Sequence, residues 1–167
     1  RCRMTVVAWD GTTLAADKRA CTGGSYYTTT KIWRDGPDRL VGCTGTVARM
    51  GAFKAWLAGG AQPSAYPENP KENDLYLIVI HRDGRIQRYE NTPWPVDVEE
   101  SHYAIGSGSD FARTAMHFGT GARGAVEVAC LFDEACGNGI DTLSFEGAPH
   151  VIPSKPCSGC GKAMLAA

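Results

Sequence analysis

The chain predicts an α+β fold in which antiparallel sheet alternates with helices. Three observations carry this. Asp10-Gly11 and Asp83-Gly84 each join two apolar runs, a hairpin signal, because that pair accepts the dihedrals of a tight turn. After Thr46 the apolar period lengthens from two to three or four, and two more helical stripes lie between Ser109 and Cys136. Leu75-Tyr76-Leu77-Ile78-Val79-Ile80 runs apolar without alternation and suits a strand covered on both faces. Two sheets face to face with helices outside would bury it.

In chain order, Thr5 to Trp9 and Thr13 to Asp17 form the first hairpin. Gly23-Gly24 interrupts, Tyr27 to Arg34 resumes as strand, and Asp35-Gly36-Pro37-Asp38 turns the chain into Leu40 to Cys43. Val47, Met50, Phe53 and Leu57 form one stripe of a helix that Gly59-Gly60 ends. Pro63, Pro67 and Pro70 mark residues 61–73 as a surface loop. Asp74 to Arg82 and Arg85 to Tyr89 pair as the next hairpin, and His102 to Ile105 is a short strand ending in Gly106-Ser107-Gly108-Ser109. Ser109 is placed to cap a helix to Phe118 whose stripe is Phe111, Ala112, Ala115 and Met116. A second helix runs from Ala122 to Cys136 with Ala125, Val128, Ala129 and Phe132 inward, and Ile140 to Phe145 returns as strand. The reading divides the chain into a domain over 4–146, a Pro/Gly-rich tail over 147–167, and residues 1–3 as upstream additions.

At 167 residues the chain can bury a core without disulfide support. A hydrophobic fraction of 43% and a charged fraction of 21% make it globular rather than disordered, and a net charge of -1 gives no reason to expect nucleic acid or an anionic membrane as partner. Seven cysteines, an odd number, lack the spacing of a small secreted scaffold. With no apolar stretch near the roughly 20 residues of a membrane span and no signal-peptide pattern, the expectation is a cytoplasmic, soluble protein with reduced thiols. Cys157 and Cys160 have half of a zinc site's spacing, with Cys136 and His150 as conceivable completions. The four histidines show no ligand spacing, and the Gly106 to Ser109 segment lacks the Gly-Lys-Ser/Thr ending of a phosphate loop. No metal and no cofactor are expected.

Thr5 follows Met4. A threonine hydroxyl is a poor nucleophile near pH 7, and one way to activate it is a free α-amine on the same residue acting as base. Removal of Met4 from a chain translated from that residue would expose such an amine. Retention of residues 1–4 would leave a non-basic amide nitrogen.

Several segments together resemble a known family. Thr5-Val6-Val7, Ala15-Ala16-Asp17-Lys18-Arg19, Lys31, Gly42-Cys43-Thr44-Gly45, Ala104-Ile105-Gly106-Ser107-Gly108 and Asp133-Glu134-Ala135-Cys136-Gly137 occur in the order seen in proteasome β-subunits and HslV-type peptidases. The resemblance implies an N-terminal-nucleophile hydrolase with a four-layer αββα sandwich that cuts unfolded polypeptide inside a stacked homo-oligomeric ring, fed in that family by an ATP-driven unfoldase. By position, Thr5 is similar to the nucleophile, Lys31 to the catalytic lysine, Asp17 to its carboxylate partner and Gly45 to the donor of an oxyanion-hole N–H. Ser107 and Asp133 match the residues that orient the threonine amine. Cys136 stands where the family usually has serine and is a weaker hydrogen-bonding group.

The residue types suit that chemistry on their own terms. An ammonium near Thr5 lowers the pKa of an α-amine that starts near 8, which keeps it neutral and basic. A buried ammonium needs a counter-charge, which Asp17 supplies. A backbone N–H at Gly45 aimed at a developing oxyanion is worth about 3 to 4 kcal/mol. Taken singly, each residue has a plainer reading: Thr5 as a strand former, Asp17 and Lys31 as exposed strand residues, Ser107 as a turn residue, Asp133 as a solvated helix residue. Two other functions fit the same chain: a non-catalytic ring-forming subunit, and an N-terminal-nucleophile amidase or acylase acting on a small amide.

Overall fold

The computed structural model describes residues 5–71 and 74–146. The expectations for residues 1–4, for the tail over 147–167 and for His150, Cys157 and Cys160 lie outside the described residues. In chain order the strands are β1 (Val6–Trp9), β2 (Thr13–Asp17), β3 (Arg19–Thr22), β4 (Ser25–Thr28), β5 (Ile32–Arg34) and β6 (Arg39–Gly45). After helix α1 (Met50–Ala58) come β7 (Leu75–His81), β8 (Ile86–Tyr89), β9 (Val96–Val98) and β10 (Tyr103–Gly106). Helices α2 (Ser109–His117) and α3 (Ala122–Phe132) precede β11 (Ile140–Ser144). The pairings are antiparallel and build one sheet in the order β10-β1-β2-β11, a second in the order β5-β6-β7-β8-β9, and the β3-β4 ribbon.

Period-two alternation sorts the strand side chains into three apolar clusters. Val6 and Ala8 of β1, with Ala15 and Ala104, pack on Ala112, Ala115, Ala125 and Ala129 of the helix pair α2-α3. The intervening Val7 and Trp9, with Leu14, face Leu40, Ile78 and Ile80 of the second sheet. On the far face of that sheet Val41, Leu75, Leu77 and Val79 meet Phe53, Trp56 and Leu57 of α1. β7 is therefore buried on both faces, as its continuous apolar run requires.

Asp10 shows how a turn is built and then tied to a helix. Its N–H donates to the Thr13 carbonyl at 3.2 Å, and its Oδ1 accepts the N–H groups of Thr12 and Thr13, each at 2.8 Å. Its Oδ2 accepts the Ala122 N–H at 2.7 Å, at the start of α3, where a carboxylate is also favoured by the helix dipole. Burial tends to raise the Asp10 pKa, but the bonds from Ala122, Thr13 and Thr12 hold it below its ordinary value.

Several elements differ from expectation. The strand expected over Tyr27 to Arg34 divides into β4 and β5, in different sheets, and the interruption turns Lys31 into the interior. Arg19–Thr22 pairs with Ser25–Thr28 as a ribbon, and Val96–Val98 adds an outer strand to the larger sheet. The capping position of α2 is Gly108 without a side-chain cap, and Ser109 is already helical. Helix α3 stops at Phe132 because Asp133 adopts extended dihedrals, and Phe132 stacks on Phe111 at 5.7 Å on the outside rather than entering the core.

Cys43, Cys130 and Cys136 are free thiols. Cys21 is disulfide-bonded, which a uniformly reduced set of cysteines does not anticipate. Among the described residues no helix is long and apolar enough to cross a membrane.

Candidate active site

Thr5 immediately precedes β1, the strand between β10 and β2, and is 1% exposed. Its carbonyl accepts the Gly108 N–H at 3.3 Å and the Ser107 hydroxyl at 3.4 Å, and its own nitrogen donates to Ser107 Oγ at 3.4 Å. The backbone of β10 passes so close that a Cβ at Gly106, where φ is +103°, would stand 2.1 Å from the Thr5 carbonyl oxygen. Only glycine closes β10 against β1 at this point.

Beside Thr5 lies a buried ion pair. Lys31 Nζ is 2.7 Å from Asp17 Oδ1, with the two side chains 1% and 0% exposed. The same oxygen accepts the N–H of Val6, the residue next to Thr5, at 3.0 Å. Asp17 Oδ2 accepts the N–H groups of Arg19 at 3.1 Å and Gly137 at 3.0 Å. Four donors thus surround one carboxylate, the degree of satisfaction a buried charge needs if its desolvation is to be offset. Asp17 therefore ties Lys31 to the first peptide of β1, the one that follows Thr5.

The third element is the segment after α3. Asp133 Oδ1 accepts the Ala135 N–H at 2.9 Å, and its Oδ2 accepts the Cys136 thiol at 3.4 Å. Burial tends to raise the Asp133 pKa, yet hydrogen bonds from Ser107, Ala135 and Cys136 keep the carboxyl below its ordinary value. The Ser107 hydroxyl thus lies between the Thr5 backbone and the Asp133 carboxyl. Sequence reasoning did not single out Arg19. Its Nη1 donates to the Glu134 carbonyl and its Nε to Asn138 Oδ1 at 3.3 Å, with the guanidinium over the Tyr26 ring, so it straps the 134–138 segment to β3. Its place two residues after Asp17 was the available signal.

Gly45, the last residue of β6, is at φ +105°, and a Cβ there would lie 2.4 Å from the Asp74 carbonyl oxygen. With Ser107 it borders a cavity of about 470 Å³ whose wall includes Thr44, Arg88, Tyr103 and Arg113. Among the described residues, no cluster of three or more His, Cys, Asp or Glu side chains is placed to hold a metal ion.

The nearby thiols do not compete as nucleophiles. Burial pushes Cys43 up to about 12 despite the charges of Lys31 and Lys54, and burial with the Asp17 charge pushes Cys130 up to about 11. Cys136 is raised as well, by burial and then by the charges of Asp17 and Asp133. Thiols so shifted stay protonated near neutral pH, and the thiolate is the reactive form.

No protein-family model matches the chain, and no curated protein does. Solved structures match in fold. A eukaryotic HslV from Trypanosoma brucei is similar over 84% of this chain and 97% of its own, with a TM-score of 0.59 and 19% identity. BPH of Thiobacillus denitrificans is similar over 86% of this chain and all (100%) of its own, with a TM-score of 0.56 and 21% identity. The same protein in complex with epoxomicin is similar over 87% of this chain and 100% of its own, at a TM-score of 0.56 and 19% identity. The described residues, antiparallel sheets with flanking helices, thus have a fold similar to that of HslV and BPH.

Proposed function

We propose that the chain is a proteasome-like threonine peptidase subunit: residues 4–146 form a four-layer αββα domain of the N-terminal-nucleophile type, and Thr5, once it is the first residue, is the nucleophile. The observation that carries this reading is the single oxygen of Asp17 that accepts both Lys31 Nζ and the N–H adjacent to Thr5. It supports a buried ammonium next to the threonine, where an amine base needs one. Ser107 and Asp133 orient the amine, and Gly45 offers its N–H to the oxyanion.

In this mechanism the Thr5 amine takes the hydroxyl proton as Oγ attacks the scissile carbonyl. The tetrahedral oxyanion is met by the Gly45 N–H, and the amine returns the proton to the leaving nitrogen as the acyl-enzyme forms. Water, deprotonated by the same amine, then releases the acyl group and regenerates Thr5. Assembly with copies of itself into a stacked ring, an ATP-driven unfoldase as partner and a cytoplasmic location belong to the same reading. The T. denitrificans structure with epoxomicin bound supplies the probe class.

The test is the first residue of the mature protein by intact mass, together with epoxomicin labelling. A mature Thr5 terminus, one inhibitor adduct on Thr5, and loss of both adduct and peptide hydrolysis in Thr5→Ala are expected. A mature protein that retains Met4 fits a non-catalytic subunit and overturns the peptidase reading. Turnover of small amides without peptides identifies an amidase instead.

A further inference from the structure

The cavity beside Gly45 and Ser107 has a polarity that the mechanism does not use. Two cations line it, Arg88 from β8 and Arg113 from α2, and no carboxylate is among its described lining residues. They converge on one ring: Arg88 Nη1 donates to the Tyr103 hydroxyl at 3.0 Å, and the Arg113 guanidinium stands 5.6 Å from the Tyr103 ring centre. Their counter-charges lie toward solvent. Arg88 Nη2 meets Glu90 at 2.8 Å and Arg113 Nη2 meets Glu100 at 3.8 Å, and these carboxylates are 47% and 52% exposed.

Arg88 Nε is buried and has no hydrogen-bond partner among the described residues. A buried donor left without an acceptor is a standing cost that a ligand removes by supplying one. Guanidinium groups are matched geometrically by planar carboxylates, and two of them at one wall, with a tyrosine ring as backing, make a site for such a group.

We propose that this cavity is a substrate subsite for a carboxylate carried close to the scissile bond, so that the enzyme prefers polypeptides with an acidic group there. The assignment rests on the peptidase reading, since Gly45 and Ser107 border both places. The carboxylate comes either from an Asp or Glu side chain or from the free C-terminus of the substrate. Arg88 and Arg113 are specificity-determining residues and take no part in proton transfer.

The experiment uses two matched fluorescent peptide series on the full chain. One scans a single Glu against Gln through a C-terminally amidated peptide, and the other compares free-acid with amide C-termini. Binding is read by anisotropy on the Thr5→Ala protein and cleavage by mass spectrometry on the Thr5 protein. One of the two carboxylate sources is expected to tighten binding by about tenfold or more, as for a hydrogen-bonded charge pair. That ratio is expected to fall to near one in Arg88→Gln and in Arg113→Gln. Arg113 is half exposed, so Arg113→Gln carries the test where Arg88→Gln does not fold. Binding that is indifferent to charge, or a preference that survives both substitutions, overturns the assignment. Acid preference without Thr5-dependent cleavage sinks the peptidase reading and with it the substrate role, leaving only a carboxylate-binding cavity, whereas Thr5-dependent cleavage without acid preference sinks only the subsite.

Discussion

The corner around Thr5 and the cavity next to it are built on opposite plans. At the corner every acceptor position of Asp17 is taken, by Lys31 and by three backbone N–H groups, and the ion pair is closed to water. In the cavity two arginines hold partners near solvent, and one buried nitrogen has none among the described residues. Under the proposed function, the difference separates machinery from a receiving surface. Groups that must not move are saturated internally, while groups that must meet something else keep capacity in reserve.

The largest break in this contrast comes from Thr5→Ala, which removes the hydroxyl proposed as the nucleophile and leaves the backbone bonds of Thr5 in place. Peptide hydrolysis is expected to fall by about 10⁴-fold or more, as when the nucleophile of a catalytic unit is deleted, with the unfolding midpoint barely altered. Lys31→Met acts on saturation itself. It strands the Asp17 charge in the interior, so a stability loss of about 3–5 kcal/mol is expected in denaturant titration, along with loss of hydrolysis. Adding Asp17→Asn to Lys31→Met should recover part of that loss, and a double variant no more stable than the single one would show that the pair is not the source.

In the cavity the expected effects are smaller. Tyr103→Phe removes the acceptor of Arg88 Nη1 and should cost about 1 kcal/mol in stability, well below the Lys31 effect. A larger loss would mean that the cavity wall is as tightly specified as the corner.

The mildest test is a pH series on Asp133→Asn. The Asp133 pKa lies below its ordinary value, so its charged form stabilises the fold above that ordinary value, near 4, and the contribution fades as pH falls through the lowered native pKa. The gap in unfolding midpoint between native protein and Asp133→Asn is therefore expected at pH 7 and should close below about pH 4. A gap that widens on acidification would reverse the assigned sign.

The legibility of the molecule follows the same division. Hairpins at Asp10-Gly11 and Asp83-Gly84, the twice-covered β7 and helices α1, α2 and α3 are readable, because turn chemistry and burial leave periodic marks. The β3-β4 ribbon was not, since Ser25–Thr28 is exposed throughout and leaves no burial pattern. The end of helix α3 leaves no mark either, since residues 133–136 include no Gly or Pro and only the extended dihedrals of Asp133 stop the helix at Phe132. Thr5, Asp17, Lys31, Gly45, Ser107 and Asp133 were nominated through motif order, and no local pattern predicted that Lys31 would leave its strand to reach Asp17. The cavity left no trace at all: Arg88, Tyr103 and Arg113 come from β8, β10 and α2, and only tertiary packing makes them neighbours.

The layer beneath α2 and α3 is made largely of alanine, and a methyl group has no rotamer with which to yield. A Cβ placed on Gly108 would press on Ala129, Cys136 and Val6 at 3.0 to 3.1 Å, in the same short segment that holds the Thr5 carbonyl. The spacing of the helix pair is thus a fixed dimension of the molecule, like the thickness of a shim. Bulk added at Gly108 would press directly on Val6, the first residue of β1.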